Sequence, residues 1–63
     1  MGNKNYALIK ITWSDGSVSY MKKGGIVVTD KDSATIYSYK VAKMVVARSR
    51  SYFGERYEIE EVR

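Results

Sequence analysis

Apolar and polar residues alternate near the start of the chain, over residues 6–13. Successive side chains of a strand point to opposite faces of its sheet, so one apolar set is expected to face the core. That set is Ala7, Ile9, Ile11 and Trp13. Asp15-Gly16 follows, and this pair favours a two-residue hairpin turn because both central residues tolerate positive φ. A second strand is therefore predicted over residues 17–22, antiparallel to the first.

A short β-branched run, residues 26–29, follows the pair Gly24-Gly25. Paired glycines permit turn conformations that other residues avoid, and β-branched side chains favour extended backbone. We interpret the run as a third strand or as an extended segment that leads into the next element. Asp30 and Asp32 come next, and carboxylates in such positions cap free N–H groups at the start of a helix.

One long helix is predicted over residues 33–52, with Gly54 just past its last turn. At about 100° per residue, its apolar side chains occupy more than half of the circumference, which is more than one small sheet can cover. We expect Val41 and Val45 to hold the helix against the sheet. An alternative interpretation makes residues 34–39 a strand, because they are β-branched and aromatic, and begins the helix at Val41. The apolar residues on the arc are Ala34, Tyr37, Tyr39, Val41, Ala42, Met44, Val45, Val46, Tyr52 and Phe53.

A last strand is predicted over residues 57–62, where apolar residues alternate with glutamates. Strands, then a helix, then a strand are typical of an antiparallel sheet with one face covered by the helix. The predicted fold class is α+β: an antiparallel sheet of three to four strands with one long helix packed on one face, in the order β-β-(β)-α-β. With 63 residues, the chain is predicted to form a single small domain, residues 1–63.

The composition excludes several kinds of chemistry. The chain has no cysteine, histidine or proline, which excludes disulfides, zinc sites built from cysteine and histidine, and histidine-based catalysis. Turn, capping and exposed strand positions explain the acidic residues. The two carboxylates of Asp30-Lys31-Asp32 lack the further ligands of a calcium or magnesium site. We therefore expect no enzyme activity, no cofactor and no metal.

The overall balance of residues is that of a soluble globular domain, with 44% hydrophobic and 29% charged residues. No apolar stretch approaches the ~20 residues that span a bilayer. Residues 1–10 lack the charged start and uninterrupted apolar run of a signal peptide. We therefore expect a cytoplasmic protein with no membrane partner.

Basic residues are the first candidate for function. Eleven Lys and Arg residues against seven Asp and Glu residues give a net charge of +4, which favours acidic partners. Lys40, Lys43 and Arg50 share one face of the predicted helix, with Arg48 at its margin, where they could contact the phosphates of a nucleic acid. The simpler interpretation, which we prefer, is that any amphipathic helix needs a solvated polar face.

Aromatic residues are the second candidate. Six tyrosines and one tryptophan are many for 63 residues, and both residue types are enriched at the centres of protein interfaces. A core this small cannot bury all of them. Together with the wide apolar arc of the helix, they indicate a protein-binding surface, with self-association as a homodimer its commonest form. The predicted partner-binding residues are Trp13, Tyr20, Tyr39 and Tyr52.

The layout resembles a class of very small proteins that phages encode to bind and disable host factors. The resemblance covers the hairpin YALIKITWSDGSVSYM, the central helix and the last strand YEIEEV. It includes no specific motif, so no functional residue is carried over from it. Inhibitors that mimic DNA are usually strongly acidic, whereas this chain carries +4. The resemblance therefore implies a block by protein contact and not by imitation of a nucleic acid.

We therefore expect a non-catalytic protein-binding module, namely a phage-encoded stoichiometric inhibitor of a bacterial defence or host protein. It would act by occupying a surface of a larger bacterial protein. The alternative is a basic nucleic-acid-binding accessory protein, or a small transcription regulator, that uses the Lys and Arg residues of the helix. Affinity for duplex DNA that falls steeply with salt would favour the alternative.

Overall fold

A computed structural model describes residues 6–62 and shows a curled antiparallel sheet with one α-helix, which confirms the α+β prediction. The helix, α1, spans Tyr39–Arg48, and a 3-10 turn spans Lys31–Ser33. The β-branched run forms the third strand. A two-residue strand, which was not part of the main prediction, lies directly before α1. The strands are β1 (Tyr6–Thr12), β2 (Val18–Lys22), β3 (Ile26–Val28), β4 (Tyr37–Ser38) and β5 (Arg56–Glu61).

Strand β1 lies at the centre of the sheet. β5 pairs with it over residues 7–12, from Ala7 opposite Glu61 to Thr12 opposite Arg56. Because β5 occupies one edge of β1 along this length, the other two partners share the opposite edge. β2 pairs there with residues 10–12 and β4 with residues 6–7, while β3 pairs with the far side of β2. All of these pairings are antiparallel. β1 therefore pairs with strands from both halves of the chain.

The core forms where α1 packs on β1 and β5. Ala7, Ile9 and Ile11 are at most 1% exposed, as predicted from the alternation in β1. Trp13, the fourth member of that set, is only half-buried, and Leu8 on the other face of β1 is buried as well. Ala42 of α1 is also fully buried, and its small side chain allows the helix to approach the sheet closely. The residues packed around this centre are Met21, Tyr37, Tyr39, Val45, Val46, Tyr57 and Ile59.

The predicted start of the helix at Ser33 is wrong. The side chain of Asp30 accepts the N–H of Asp32 and begins the 3-10 turn, not the α-helix. The chain then stays extended, because β4 pairs with residues 6–7 of β1. The hydroxyl of Ser38 accepts the N–H of Val41 at 3.3 Å and caps α1. The alternative with a strand before the helix is therefore nearer to the structure.

The predicted end of the helix near Tyr52 is also wrong. The chain leaves the helical conformation at Ser49, whose φ of −73° and ψ of 136° are extended. Gly54 has a φ of +78°, but it lies in the following loop and not at the end of α1. Among residues 6–62, no helix has the length and apolarity needed to cross a membrane.

The contact face of α1 differs from the predicted one. Val45 packs against the core as expected, but Val41 is 44% exposed and Met44 is 46% exposed. Ala42 lies at the centre of the contact, so Val41 lies to one side of it by about 100°. Val41 therefore does not hold the helix to the sheet.

The hairpin between β1 and β2 is confirmed, but its turn has three residues and not two. The N–H of Trp13 donates to Ser17 O at 2.8 Å, and the N–H of Gly16 donates to Trp13 O at 2.9 Å. Gly16 has a φ of +89°, whereas the φ of Asp15 is negative. This is a three-residue hairpin loop that ends in a left-handed residue. The Asp15 carboxylate accepts both the N–H and the hydroxyl of Ser17, at 2.9 and 2.6 Å.

Replacing Gly16 tests this turn. Space around it is open, so only the positive φ penalises a side chain. We expect Gly16→Val to lower the free energy of unfolding by about 1–3 kcal/mol, and Gly16→Asn to lower it less, because Asn tolerates left-handed backbone. Urea midpoints of the three proteins measure this. Equal midpoints for Gly16→Val and the parent would contradict the assigned turn.

Candidate functional site

Two loops meet at the end of the sheet where β1 ends. Pairing of Thr12 with Arg56 brings the β1–β2 turn beside the segment that joins α1 to β5. A Cβ atom added to Gly54 would lie 3.7 Å from Ser14 Cβ, which places the two loops in contact. We refer to residues 13–17 and 48–56 as the tip. A depression of about 300 Å³ between the loops is lined by Thr12, Trp13, Ser14, Gly16, Gly54 and Arg56.

The carboxylate of Glu55 organises the tip from inside. Glu55 is only 5% exposed. Its Oε1 accepts hydrogen bonds from the Ser51 hydroxyl at 3.0 Å, from the Tyr52 N–H at 3.1 Å and from the Phe53 N–H at 2.8 Å. Its Oε2 accepts the hydroxyl of Tyr57 at 3.1 Å. One buried carboxylate therefore fixes the path of the whole preceding loop.

These contacts shift the acidity of both partners. The backbone N–H of Phe53 is the main cause that lowers the pKa of Glu55 from 4.5 to about 2, because its bond favours the charged carboxylate. Burial opposes this shift but is outweighed. Burial raises the pKa of the Tyr57 hydroxyl, and the bond and charge of Glu55 raise it further. Glu55 is therefore ionised at neutral pH while Tyr57 remains a donor.

The loop that Glu55 fixes presents two aromatic side chains to solvent. Tyr52 is 78% exposed and Phe53 is 76% exposed. Their backbone N–H groups are held at Glu55, so their side chains leave the loop from a fixed backbone. Adjacent exposed apolar groups can mark an interaction surface, whereas single scattered ones are common on any protein. This pair is therefore the main candidate contact of the tip.

Trp13 supports the tip from the other loop. Its indole Nε1–H donates to the Ser19 hydroxyl at 2.9 Å, and Ser19 is buried. Trp13 is half-buried and lines the depression beside Arg56. The indole is thus fixed in orientation and contributes one wall of the depression.

The outward charge of the tip comes mainly from arginine. Arg48 ends α1, Arg50 follows it and Arg56 begins β5, and all three are exposed. Within residues 6–62, none of the three guanidinium groups forms an ion pair. The tip carries two carboxylates, of which Glu55 is buried and Asp15 is bonded to Ser17.

The opposite end of the sheet has a different character. A depression of about 450 Å³ lies there, and the ammonium of Lys31 beside it forms an ion pair with Glu60. The hydrogen bond with Glu60 raises the pKa of Lys31. In the described part of the chain, no three acidic side chains come close enough to hold a metal ion. The depression is lined by Leu8, Lys31, Asp32, Ala34, Ile36, Glu61 and Val62.

The four predicted partner-binding residues do not share one surface. Trp13 and Tyr52 both lie at the tip. Tyr39 begins α1, which follows β4 at the opposite end of β1, and it packs against the core. Tyr20 lies opposite Lys10 in the β1–β2 pair, on the sheet face away from α1. Of the predicted set, only Trp13 and Tyr52 therefore lie in one place.

The four residues of the predicted basic helix face do not share one surface either. Lys40 and Lys43 are exposed on α1, and Arg48 is its last residue. Arg50 lies beyond the end of α1, so it cannot share a helix face with the lysines. Arg48 and Arg50 belong instead with Arg56 at the tip.

The sequence reasoning missed Phe53, Glu55 and Arg56. The apolar pattern places Phe53 in a longer helix, whereas the structure places it in a loop. The available signal was Gly54 directly followed by an acid, because such an acid can accept the free N–H groups of the loop before it. A helix that ended earlier would have left both aromatic residues in a loop.

The pKa of Glu55 predicts how stability changes with pH. Because its folded pKa lies below the ordinary value of 4.5, ionised Glu55 stabilises the fold above that pH, and this contribution is lost as the pH falls towards about 2. We expect Glu55→Gln to lower the urea midpoint at pH 7 and to lose less further stability than the parent over this acid range. Glu58→Gln is the control, since Glu58 is exposed and accepts only a 3.4 Å bond from Thr12. Equal acid losses for Glu55→Gln and the parent would contradict the assignment.

Comparisons with family models, with curated proteins and with solved structures found no match to this chain. The case for a function therefore depends on the tip: two exposed aromatic side chains on a loop that a buried carboxylate fixes, with three exposed arginines close to them in sequence.

Proposed function

We propose that this chain is a non-catalytic protein-binding module that contacts its partner through Tyr52 and Phe53. The observation that carries the proposal is the exposure of both side chains, 78% and 76%, on a loop fixed by the Glu55 carboxylate. Aromatic side chains that fill a pocket on a partner supply much of the binding energy in protein interfaces.

A fixed loop favours binding because less freedom is lost on association. Ordering mobile side chains and loops at an interface costs free energy, and this cost weakens binding. The bonds from Ser51, Tyr52 and Phe53 to Glu55 order the loop before the partner arrives. Tyr52 adds a hydroxyl that can bond at the rim of a pocket while its ring is buried.

The proposal includes the setting that the layout of the sequence predicts. In that setting the protein acts stoichiometrically, in a bacterial cytoplasm, as a phage-encoded inhibitor that occupies a surface of a larger bacterial protein. The tip suits such an action, because binding alone blocks the covered surface and requires no reaction.

Single-stranded nucleic acid is the second candidate partner. Arg48, Arg50 and Arg56 lie close in sequence to Tyr52 and Phe53, and basic groups with exposed aromatic rings can hold phosphates and stack bases. Such binding weakens strongly as salt rises. The salt dependence therefore separates this candidate from contact with an apolar pocket.

Self-association is proposed to use a separate surface. Val41 and Met44 are 44% and 46% exposed and lie three positions apart on α1. We expect a homodimer at micromolar concentration that buries these side chains, and we expect Met44→Lys to weaken it while Lys43→Gln does not. Sedimentation equilibrium measures the mass. A mass of 7.2 kDa at all concentrations would contradict the dimer.

A displayed library of short random peptides tests the role of the aromatic pair without a prior choice of partner. Peptides are selected on the parent protein and then measured against Tyr52→Ser/Phe53→Ser. Because such anchors contribute at least about 2 kcal/mol, we expect the double variant to bind at least about thirtyfold more weakly. Ile36→Ser is the matched control, since Ile36 is 58% exposed but lies at the other end of the sheet.

Both variants should keep the urea midpoint of the parent, because the replaced side chains are exposed. Selected peptides that bind the double variant as well as the parent would overturn the proposal. Peptides that lose binding only with Ile36→Ser would place the contact at the opposite depression and would overturn it as well.

A further inference from the structure

We infer that the partner surface is acidic, with an apolar pocket for Tyr52 and Phe53 bordered by carboxylates that pair with the arginines of the tip. This inference depends on the proposed function, since it specifies the chemistry of the partner at the same site. The observation that carries it is the set of three exposed arginines close in sequence to the aromatic pair, none of which forms an ion pair with a carboxylate of residues 6–62.

Arginine suits this role for a physical reason. Its planar guanidinium offers donors in a fixed geometry that matches a carboxylate, so that two parallel hydrogen bonds form at once. Arg50 lies two residues before Tyr52, and Arg56 lies three residues after Phe53. The cationic groups therefore lie on both sides of the aromatic pair along the chain.

The carboxylates of the tip do not neutralise these arginines. Glu55 is buried and accepts four hydrogen bonds from its own loop and Tyr57. Asp15 accepts two hydrogen bonds from Ser17, one from its hydroxyl and one from its backbone N–H. The bond from the hydroxyl is the main cause that lowers the pKa of Asp15. An approaching partner therefore meets three guanidinium groups, the exposed Asp15 carboxylate and, beside Thr12 at the edge of the depression, the exposed Glu58 carboxylate.

The other end of the sheet carries charges of both signs. Lys31, Asp32 and Glu61 line the depression there, and Glu60 pairs with Lys31. The exposed side chains of Lys22 and Lys40 belong to the same end, where β2 ends and α1 begins. The tip, in contrast, carries three exposed arginines, so an acidic partner is attracted to it. Complementary charge of this kind directs association and raises its rate, most strongly at low salt.

The shape of the tip favours a protein over a nucleic acid. Sites for single strands combine a basic groove that follows the phosphates with several stacking platforms. Here the exposed rings belong to two adjacent residues at a loop end, and the depression beside them is lined by a single arginine, Arg56. The Trp13 indole is half-buried, and its bond to Ser19 fixes its orientation.

Two double variants with the same change of charge test the inference. Arg50→Gln/Arg56→Gln removes two charges at the tip, and Lys40→Gln/Lys43→Gln removes two exposed charges on α1. Peptides selected on the parent from the random library are the probe. We expect them to combine an apolar residue with Asp or Glu.

At about 0.05 M salt we expect the tip variant to bind these peptides at least tenfold more weakly than the parent, and the α1 variant to bind within about twofold. At about 0.5 M salt the difference should shrink, because the Debye length falls to a few ångströms. Urea midpoints confirm that both variants are folded.

The other outcomes overturn the inference in different ways. Neutral peptides that need Tyr52 and Phe53 but bind the tip variant normally would overturn the acidic partner and leave the proposed function standing. Peptides that need neither aromatic residue would overturn both. A single-stranded oligothymidine that binds more tightly than the peptides and is lost in the tip variant would replace the protein partner with a nucleic acid.

Discussion

The antiparallel pairing of β1 with β5 is the contact on which the rest of the structure depends. It joins the first strand of the described chain to the last over residues 7–12, and it provides the floor on which α1 packs through Ala42. The same register sets Arg56 opposite Thr12, so the loop after α1 must reach the turn after β1. The tip therefore exists because two distant segments are held in one register.

Glu55 fixes the backbone of the loop that the register brings to the tip. A buried charge is costly unless it is well bonded, and Glu55 is bonded by four donors, two of them backbone N–H groups of the residues it presents. The arrangement satisfies the polar groups inside the loop and leaves the rings of Tyr52 and Phe53 in water. Exposure of large aromatic rings does not stabilise a fold by burial, which is why we connect it with binding.

The sequence predicted those features that depend on neighbours along the chain. Alternation identified Ala7, Ile9 and Ile11 as the core face, because a strand repeats every two residues whatever it pairs with. The bounds of α1 could not be predicted in this way. β4 stays extended because it pairs with β1, and Glu55 holds residues 51–53 in a loop beyond Ser49, where the helix has already ended. Both causes are contacts outside the helix, so the tip and its grouping of arginines required the structure.

The central claim is that the Glu55 carboxylate holds the backbone of Tyr52 and Phe53 in place. An NMR titration of these two backbone N–H groups tests it most directly, since a bonded N–H reports the ionisation of its acceptor. The structure predicts that both signals shift together with an apparent pKa of about 2 and that the shift is absent in Glu55→Gln. Signals that titrate near the ordinary value of 4.5, or that titrate unchanged in the variant, would contradict it.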